Sequence, residues 1–171
     1  GISERWGLAR FDCVQPQYSL IERQIEYETV PLCLSEGVGI IPWSPLGGGF
    51  LTGKYSRDTR PDGARLSEDR SGPFENIWSR RATERNWDTL DALREVAGAR
   101  GISCAQIALA WTLARPGVTS PIIGVRTLEQ LEDNLAALDV VLSGDEMDAL
   151  NNASALDDVY PYRFIRDLGA R

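Results

Sequence analysis

Trp43, Ser44, Gly47, Gly48, Gly49 and Lys54 fall within one short stretch, Val38 to Tyr55, that runs from an apolar segment through an aromatic to a glycine-rich turn and a lysine. Lys54 is the only lysine in the chain, against seventeen arginines. Glycines let a backbone approach a ligand closely and adopt positive φ, and bare N–H groups beside one ammonium would seat a phosphate. Trp43 offers a flat face to a ring, and the Ser44 hydroxyl could bond a pyrophosphate or cap the turn. The same residues also compose a tight turn around a core tryptophan. Their order is not that of a GxxxxGK[ST] loop and no helix signal follows the glycines, which argues against nucleotide hydrolysis of the P-loop type.

A second set lies further on. Arg126 stands where an apolar run, Pro121 to Val125, enters a helical pattern that opens with Thr127. The amino end of a helix has free N–H groups and a positive dipole end, and a guanidinium there suits a phosphate. Gln130 and Asn134 are four apart and share a face near that end. They could grip an adenine nucleotide; equally, Gln130 completes a capping box and Arg126 is a solvated surface residue. Gln15, at the end of the first apolar run, carries an amide that donates and accepts in one plane, as recognition of a carboxamide ring would require.

These residues need elements to carry them. The runs Phe11 to Gln17, Val38 to Trp43 and Pro121 to Val125 read as three short buried strands. Between the first two, Pro31 suits the first turn of a helix that Gly37 or Gly39 stops. Residues 56–81 form a long polar stretch. Helical spacing then places Trp87, Leu90, Leu93, Val96 and Ala97 on one face up to Gly101. Ser103 with Gln106, Thr127 with Gln130 and Ser143 with Glu146 are capping-box signatures for three further helices. Leu128, Leu131, Leu135 and Leu138 make a leucine stripe on the second of these. A loop and a short helix are expected over the tail from Asp157. Buried strands alternating with helices imply a parallel α/β sheet. Three strands do not close a barrel of about 250 residues, so the expectation is the carboxyl part of a (β/α)8 barrel, a single incomplete domain over residues 1–171.

The segments Gln15-Pro-Gln-Tyr-Ser-Leu, Pro42-Trp-Ser-Pro-Leu-Gly-Gly-Gly-Phe-Leu-Thr-Gly-Lys54 and Gly124-Val-Arg-Thr-Leu-Glu-Gln-Leu-Glu-Asp-Asn134 resemble the carboxyl half of the aldo-keto reductase family, in order and spacing, from about Phe11 to about Leu150. The resemblance implies a (β/α)8 barrel that binds NADP(H) in extended form and reduces aldehydes or ketones by hydride transfer. It implies that Gln15 binds the nicotinamide carboxamide and Trp43 stacks on the ring, while Ser44, Leu46, Gly48 and the loop through Lys54 line the pyrophosphate. Arg126 would meet the 2′-phosphate, Gln130 and Asn134 the adenine end, and Gly124 would let the backbone pass close by. The 56–81 segment and the Tyr160-Pro-Tyr-Arg tail would shape the substrate pocket. The family's catalytic Asp, Tyr, Lys and His belong to its amino half; this chain has no histidine and its one lysine lies in the 43–54 loop, so no catalytic residue is assigned. The isolated chain is expected to be inactive. Other readings are a cofactor-sensing regulatory subunit resembling potassium-channel β subunits, and a truncated remnant.

Composition bounds the partners. With 43 % hydrophobic and 25 % charged residues the chain has the make-up of a globular protein. A net charge of −7 opposes binding to nucleic acid or anionic membranes, so any anion must be held by local groups. The three cysteines lack metal or disulfide spacing and read as small buried hydrophobes of a reducing, cytoplasmic compartment. No metal and no membrane span are expected. The partners expected are a small-molecule carbonyl substrate and, to complete the barrel, the amino-terminal half or a second copy of the chain.

Overall fold

A computed structural model describes residues 1–59, Leu66 and residues 77–169. Helix α1 (Ile2–Trp6) precedes strand β1 (Cys13–Val14), and α2 (Thr29–Glu36) leads back to strand β2 (Gly39–Ile40). The two strands are parallel, with Cys13 opposite Gly39 and Val14 opposite Ile40. Single parallel bridges extend the pairing from Gln17 to Trp43 on one side of the second strand, and from Ile40 to Val118 and Trp43 to Ile122 on the other. Three extended segments thus lie side by side in chain order, all pointing the same way, with the second in the middle. The third begins at Val118, earlier than its apolar run suggests.

Helices supply the crossovers that parallel strands require. Gly37 ends α2 at φ 66°, its N–H bonded to the Cys33 carbonyl. After the second strand, two short 3₁₀ turns over Gly47–Thr52 kink at Gly48 and Gly49; the glycine stretch is therefore partly helical, but it is not the α-helix of a P-loop. Most of the polar 56–81 stretch lies outside the described residues. Within it Leu66 is buried and its N–H donates to the Tyr55 hydroxyl.

Helices α3 (Ile77–Arg81), α4 (Glu84–Arg100) and α5 (Cys104–Leu113) follow, then α6 (Leu128–Leu135), a 3₁₀ turn (Ala136–Asp139), α7 (Gly144–Ala153) and α8 (Tyr162–Gly169). Helix α4 starts where the Thr83 side chain accepts the Asn86 N–H and stops at Gly101, φ 66°. Its Trp87, Leu90, Leu93, Val96 and Ala97 are buried as their spacing predicts. They meet Ile107 and Trp111 of α5, Leu150 of α7, and Phe50, Leu51 and Tyr55 of the glycine loop in one core. Burying each large side chain contributes about 1.5–3 kcal/mol, so this core anchors the base of the loop.

The capping signatures resolve differently. Ser143 and Glu146 form the reciprocal box. Ser103 accepts the Gln106 N–H, yet the Gln106 amide reaches to Asp133 of α6 at 2.7 Å, and the Ser103 hydroxyl donates to the same carboxylate at 2.8 Å. A carboxylate on a neighbouring helix outcompetes the neutral capping bond because charge-assisted bonds are stronger.

Three expectations of burial are overturned. The third segment's Ile122 and Val125 are exposed, as are Leu128, Leu135 and Leu138 of the leucine stripe, with Leu128 at 69 %. Cys13 is exposed, Cys104 is half-buried, and only Cys33 is buried. Among the described residues no strand pairs with the outer edges of the first and third segments, so side chains beside those edges have nothing to pack against. Phe11, at the other edge, is 87 % exposed for the same reason.

Candidate functional site

The carboxyl ends of the three segments bring the candidate residues to one side of the sheet. Ile41 N–H bonds the Val14 carbonyl and Trp43 N–H bonds the Pro16 carbonyl at 2.9 Å, which sets Gln15 beside the second strand's end. On the opposite flank Ile122 N–H bonds the Pro42 carbonyl at 2.8 Å, so Gly124 and Arg126 follow directly after Trp43's other neighbour. The Trp43 carbonyl also accepts from Tyr18 N–H. With its backbone held from both flanks, the indole is nonetheless 38 % exposed, and no aromatic ring stacks on it among the described residues. A rigid, open indole face is what a flat ring requires. Gln15 is exposed beside it, and its amide has no partner among the described residues.

After Trp43 the chain turns left-handed. Ser44 has φ 57°, and Gly47, Gly48, Gly49 and Gly53 also have positive φ. The expected bare amides are not there. Gly47 N–H donates to the Ser44 carbonyl, Gly48 N–H to Ser44 Oγ at 3.2 Å, and Gly49 N–H to the Leu46 carbonyl at 3.0 Å. The loop closes on itself because tight turns satisfy their own donors. Leu46 is half-buried against the core. An anion at this loop would therefore be held by side chains more than by glycine amides.

Those side chains are cations. Lys54 folds back so that its Nζ would lie 3.3 Å from a Cβ at Gly49, a position only glycine leaves open, and its ammonium is 5.3 Å from the Tyr55 ring centroid. Loss of hydration, then repulsion by Arg126, holds its pKa below the ordinary lysine value. Arg126, from a different strand end, thus lies within electrostatic reach of the Lys54 ammonium, and neither cation pairs with a carboxylate among the described residues. Like charges brought together without a counter-ion are unfavourable unless an anion joins them.

Thr127 caps α6 by accepting the Gln130 N–H, while Gln130 Oε1 accepts the N–H of Arg126 at 2.9 Å. Gln130 thereby pins the backbone under the Arg126 guanidinium instead of closing a box on Thr127, and keeps its amide NH₂ for another acceptor. Asn134, one turn on, is only 8 % exposed. A Cβ at Gly124 would touch nothing within 4 Å, so nothing in the described residues demands glycine there.

Sequence reasoning missed Arg94 of α4. Its Nη2 donates to the carbonyls of Gly53 at 3.0 Å and Tyr55 at 2.5 Å, on either side of Lys54. The arginine is half-buried, four residues after Leu90 and three before Ala97 on the apolar face, and no local signal marks its distant partners. Among the described residues no cluster of side chains could hold a metal ion, and no helix is long and apolar enough to cross a membrane.

Comparison with known proteins gives a consistent set of relatives. The family model described as "Aldo/keto reductase family" matches residues 4–155. Versiconal hemiacetal acetate reductase of Aspergillus parasiticus is 32 % identical over 161 residues, covering 94 % of this chain and 45 % of that protein. Protein tas of Escherichia coli is also 32 % identical over 161 residues, with 94 % and 44 % covered. A probable voltage-gated potassium channel subunit beta of Arabidopsis thaliana is 34 % identical over 147 residues, with 82 % and 44 % covered. The chain spans less than half the length of these curated relatives.

Proposed function

The chain belongs to the aldo/keto reductase family, and from that premise we propose that it is the cofactor-holding carboxyl part of a (β/α)8 oxidoreductase that uses NADP(H) to reduce aldehydes or ketones. The observations that carry this reading are Lys54 folded over the glycine loop within electrostatic reach of Arg126, and the exposed indole of Trp43 at the end of the strand that leads into that loop. In a chain of net charge −7, such a local cluster selects a ligand that combines a flat ring with several phosphate charges. The donor set fits a doubly phosphorylated dinucleotide: two cations, an open indole and two amide side chains. The glycine amides, spent within their own turn, add little.

In this reading Trp43 supports one face of the nicotinamide and Gln15 fixes its carboxamide, which decides the face presented to the substrate. Lys54 neutralises the pyrophosphate, with Ser44, Leu46 and Gly48 forming the wall of the loop behind it. Arg126 takes the 2′-phosphate in a forked, bidentate grip, and the free NH₂ of Gln130 and the neighbouring Asn134 border the adenine end, reached past Gly124. When bound, NADPH supplies the hydride for a carbonyl carbon. No residue of this chain is assigned the proton transfer; that role and the carbonyl pocket fall to the remainder of the barrel. A cytoplasmic location belongs to the same reading.

The test is a titration of NADPH followed by tryptophan fluorescence, with Trp43→Phe as the reference. Saturable quenching that loses most of its amplitude in Trp43→Phe is the expected result, since Trp87 and Trp111 are buried in the core. Absence of saturation, or full amplitude without Trp43, overturns the reading. The potassium-channel β relatives favour a second reading, a regulatory subunit that senses the cofactor without turnover. Oxidation of NADPH by aldehydes in a whole protein carrying this segment separates the two.

A further inference from the structure

Arg94 lies in none of the motifs described above, yet it grips the one segment that aims Lys54. Its Nη2 bridges the carbonyls of Gly53 and Tyr55, and its Nη1 donates to Asp91 Oδ1 at 3.0 Å. Asp91 in turn accepts from Arg57 at 2.8 Å through its other oxygen. The guanidinium is thus oriented from behind by a carboxylate that is itself held.

We propose that Arg94 is a positioning residue for the anion site, clamping the backbone on both sides of Lys54 so that the ammonium lies over Gly49. The proposal rests on the reading of Lys54 as a cofactor-binding cation. Gly53, at φ 82°, precedes the lysine, and glycine passes readily between left- and right-handed backbone. Tyr55 is locked by burial in the core, so the segment is anchored after Lys54 but has a pliant joint before it. One nitrogen bonded to carbonyls on both sides closes that joint. Without the clamp the lysine would sample orientations that separate it from Arg126, and binding would have to order it afresh.

Lys54 is the sole lysine, so its ε-carbon and ε-nitrogen each give a single side-chain NMR signal that needs no sorting from others. In the wild-type chain this signal should titrate below the ordinary lysine range. Arg94→Gln should move the titration back toward the ordinary value and narrow the line as the side chain averages. The same Arg94→Gln change should weaken NADPH binding about tenfold in the wild-type background, and not at all in a Lys54→Met background. An unmoved Lys54 titration in Arg94→Gln, or an equal loss of affinity in both backgrounds, overturns the proposal. If Arg94→Gln does not fold, Asp91→Asn loosens the guanidinium while leaving its donors, and the same two outcomes decide. Should Lys54→Met bind NADPH as tightly as wild type, the cofactor reading of Lys54 fails on its own, while the NMR titration still decides the clamp.

Discussion

Ser44 Oγ accepts the N–H of Gly48 at 3.2 Å while Ser44 itself sits in the left-handed region at φ 57°. The strand that presents Trp43 ends in this strained residue, and the bond across four positions gives the strain a purpose: it folds the glycines back under the lysine.

Left-handed backbone costs a non-glycine residue roughly 1–2 kcal/mol, and a net hydrogen bond contributes about 1 kcal/mol. Ser44→Ala keeps the strain and loses the bond, so it should lower stability by about 1 kcal/mol. Ser44→Gly loses the bond but relieves the strain and should be near neutral. Urea unfolding of the three proteins compares them directly; equal midpoints for wild type and Ala would show that the hydroxyl is not holding the turn, and equal midpoints for Ala and Gly that the backbone there carries no strain.

Arg126→Ala should weaken NADPH by at least about tenfold and NADH far less, because only the former carries the 2′-phosphate the guanidinium is read to meet. Parallel titrations of both dinucleotides check it. Equal losses would assign Arg126 a general electrostatic role.

Arg23 ties the segment after the first strand to the far end of the chain. It donates to both oxygens of Glu26 at 2.9 and 3.0 Å, to Ser154 Oγ at 2.6 Å and to the Asn151 carbonyl. Burial alone would raise the Glu26 carboxyl, but bonds from Arg23 and Tyr18 and the charges of Arg23 and Arg115 bring it below its ordinary value. Arg23→Met leaves Glu26 with Tyr18 and the 3.5 Å contact to Arg115 but vacates the bonds to Ser154 and Asn151, so it should cost about 3 kcal/mol, the low end for breaking a buried pair from one side. Glu26→Gln, which still offers an acceptor, should cost less. Guanidinium denaturation gives both values, and a larger loss for Glu26→Gln would contradict the account.

Glu146 bonds the Arg100 guanidinium with both oxygens at 2.6 Å and accepts the Ser143 N–H at 2.7 Å. Those bonds lower its pKa from 4.5 to about 2. A depressed carboxylate stabilises the fold above its unfolded pKa and ceases to do so as pH falls through the folded one. The stability difference between wild type and Glu146→Gln should therefore hold steady above pH 4.5 and shrink toward pH 2. A difference that stays constant over that window would show that the ion pair contributes nothing. Because the pair is largely solvent-facing, the effect should also weaken in salt.

The sequence by itself determined the local frame. Capping serines and threonines at 103, 127 and 143 and the left-handed glycines at 37 and 101 mark helix ends where the structure has them, because such signals act between residues three or four apart. The apolar period of α4 likewise foretold its buried face, and the ordered motifs around Gln15, Trp43 and Gly124 pointed to the family. Tertiary structure decided what those residues have available. Gly47, Gly48 and Gly49 have no bare amides, since the turn consumes them; Gln106 is drawn from its own cap to Asp133; and the leucine stripe is exposed for want of a neighbouring surface. Arg126 comes within electrostatic reach of Lys54 only because parallel strands place their ends together. Arg94, 41 and 39 positions from the carbonyls it holds, joins them through packing alone. Short-range patterns follow from the backbone's own geometry, whereas the pairing of charges and donors across the chain depends on which surfaces the core forces into contact.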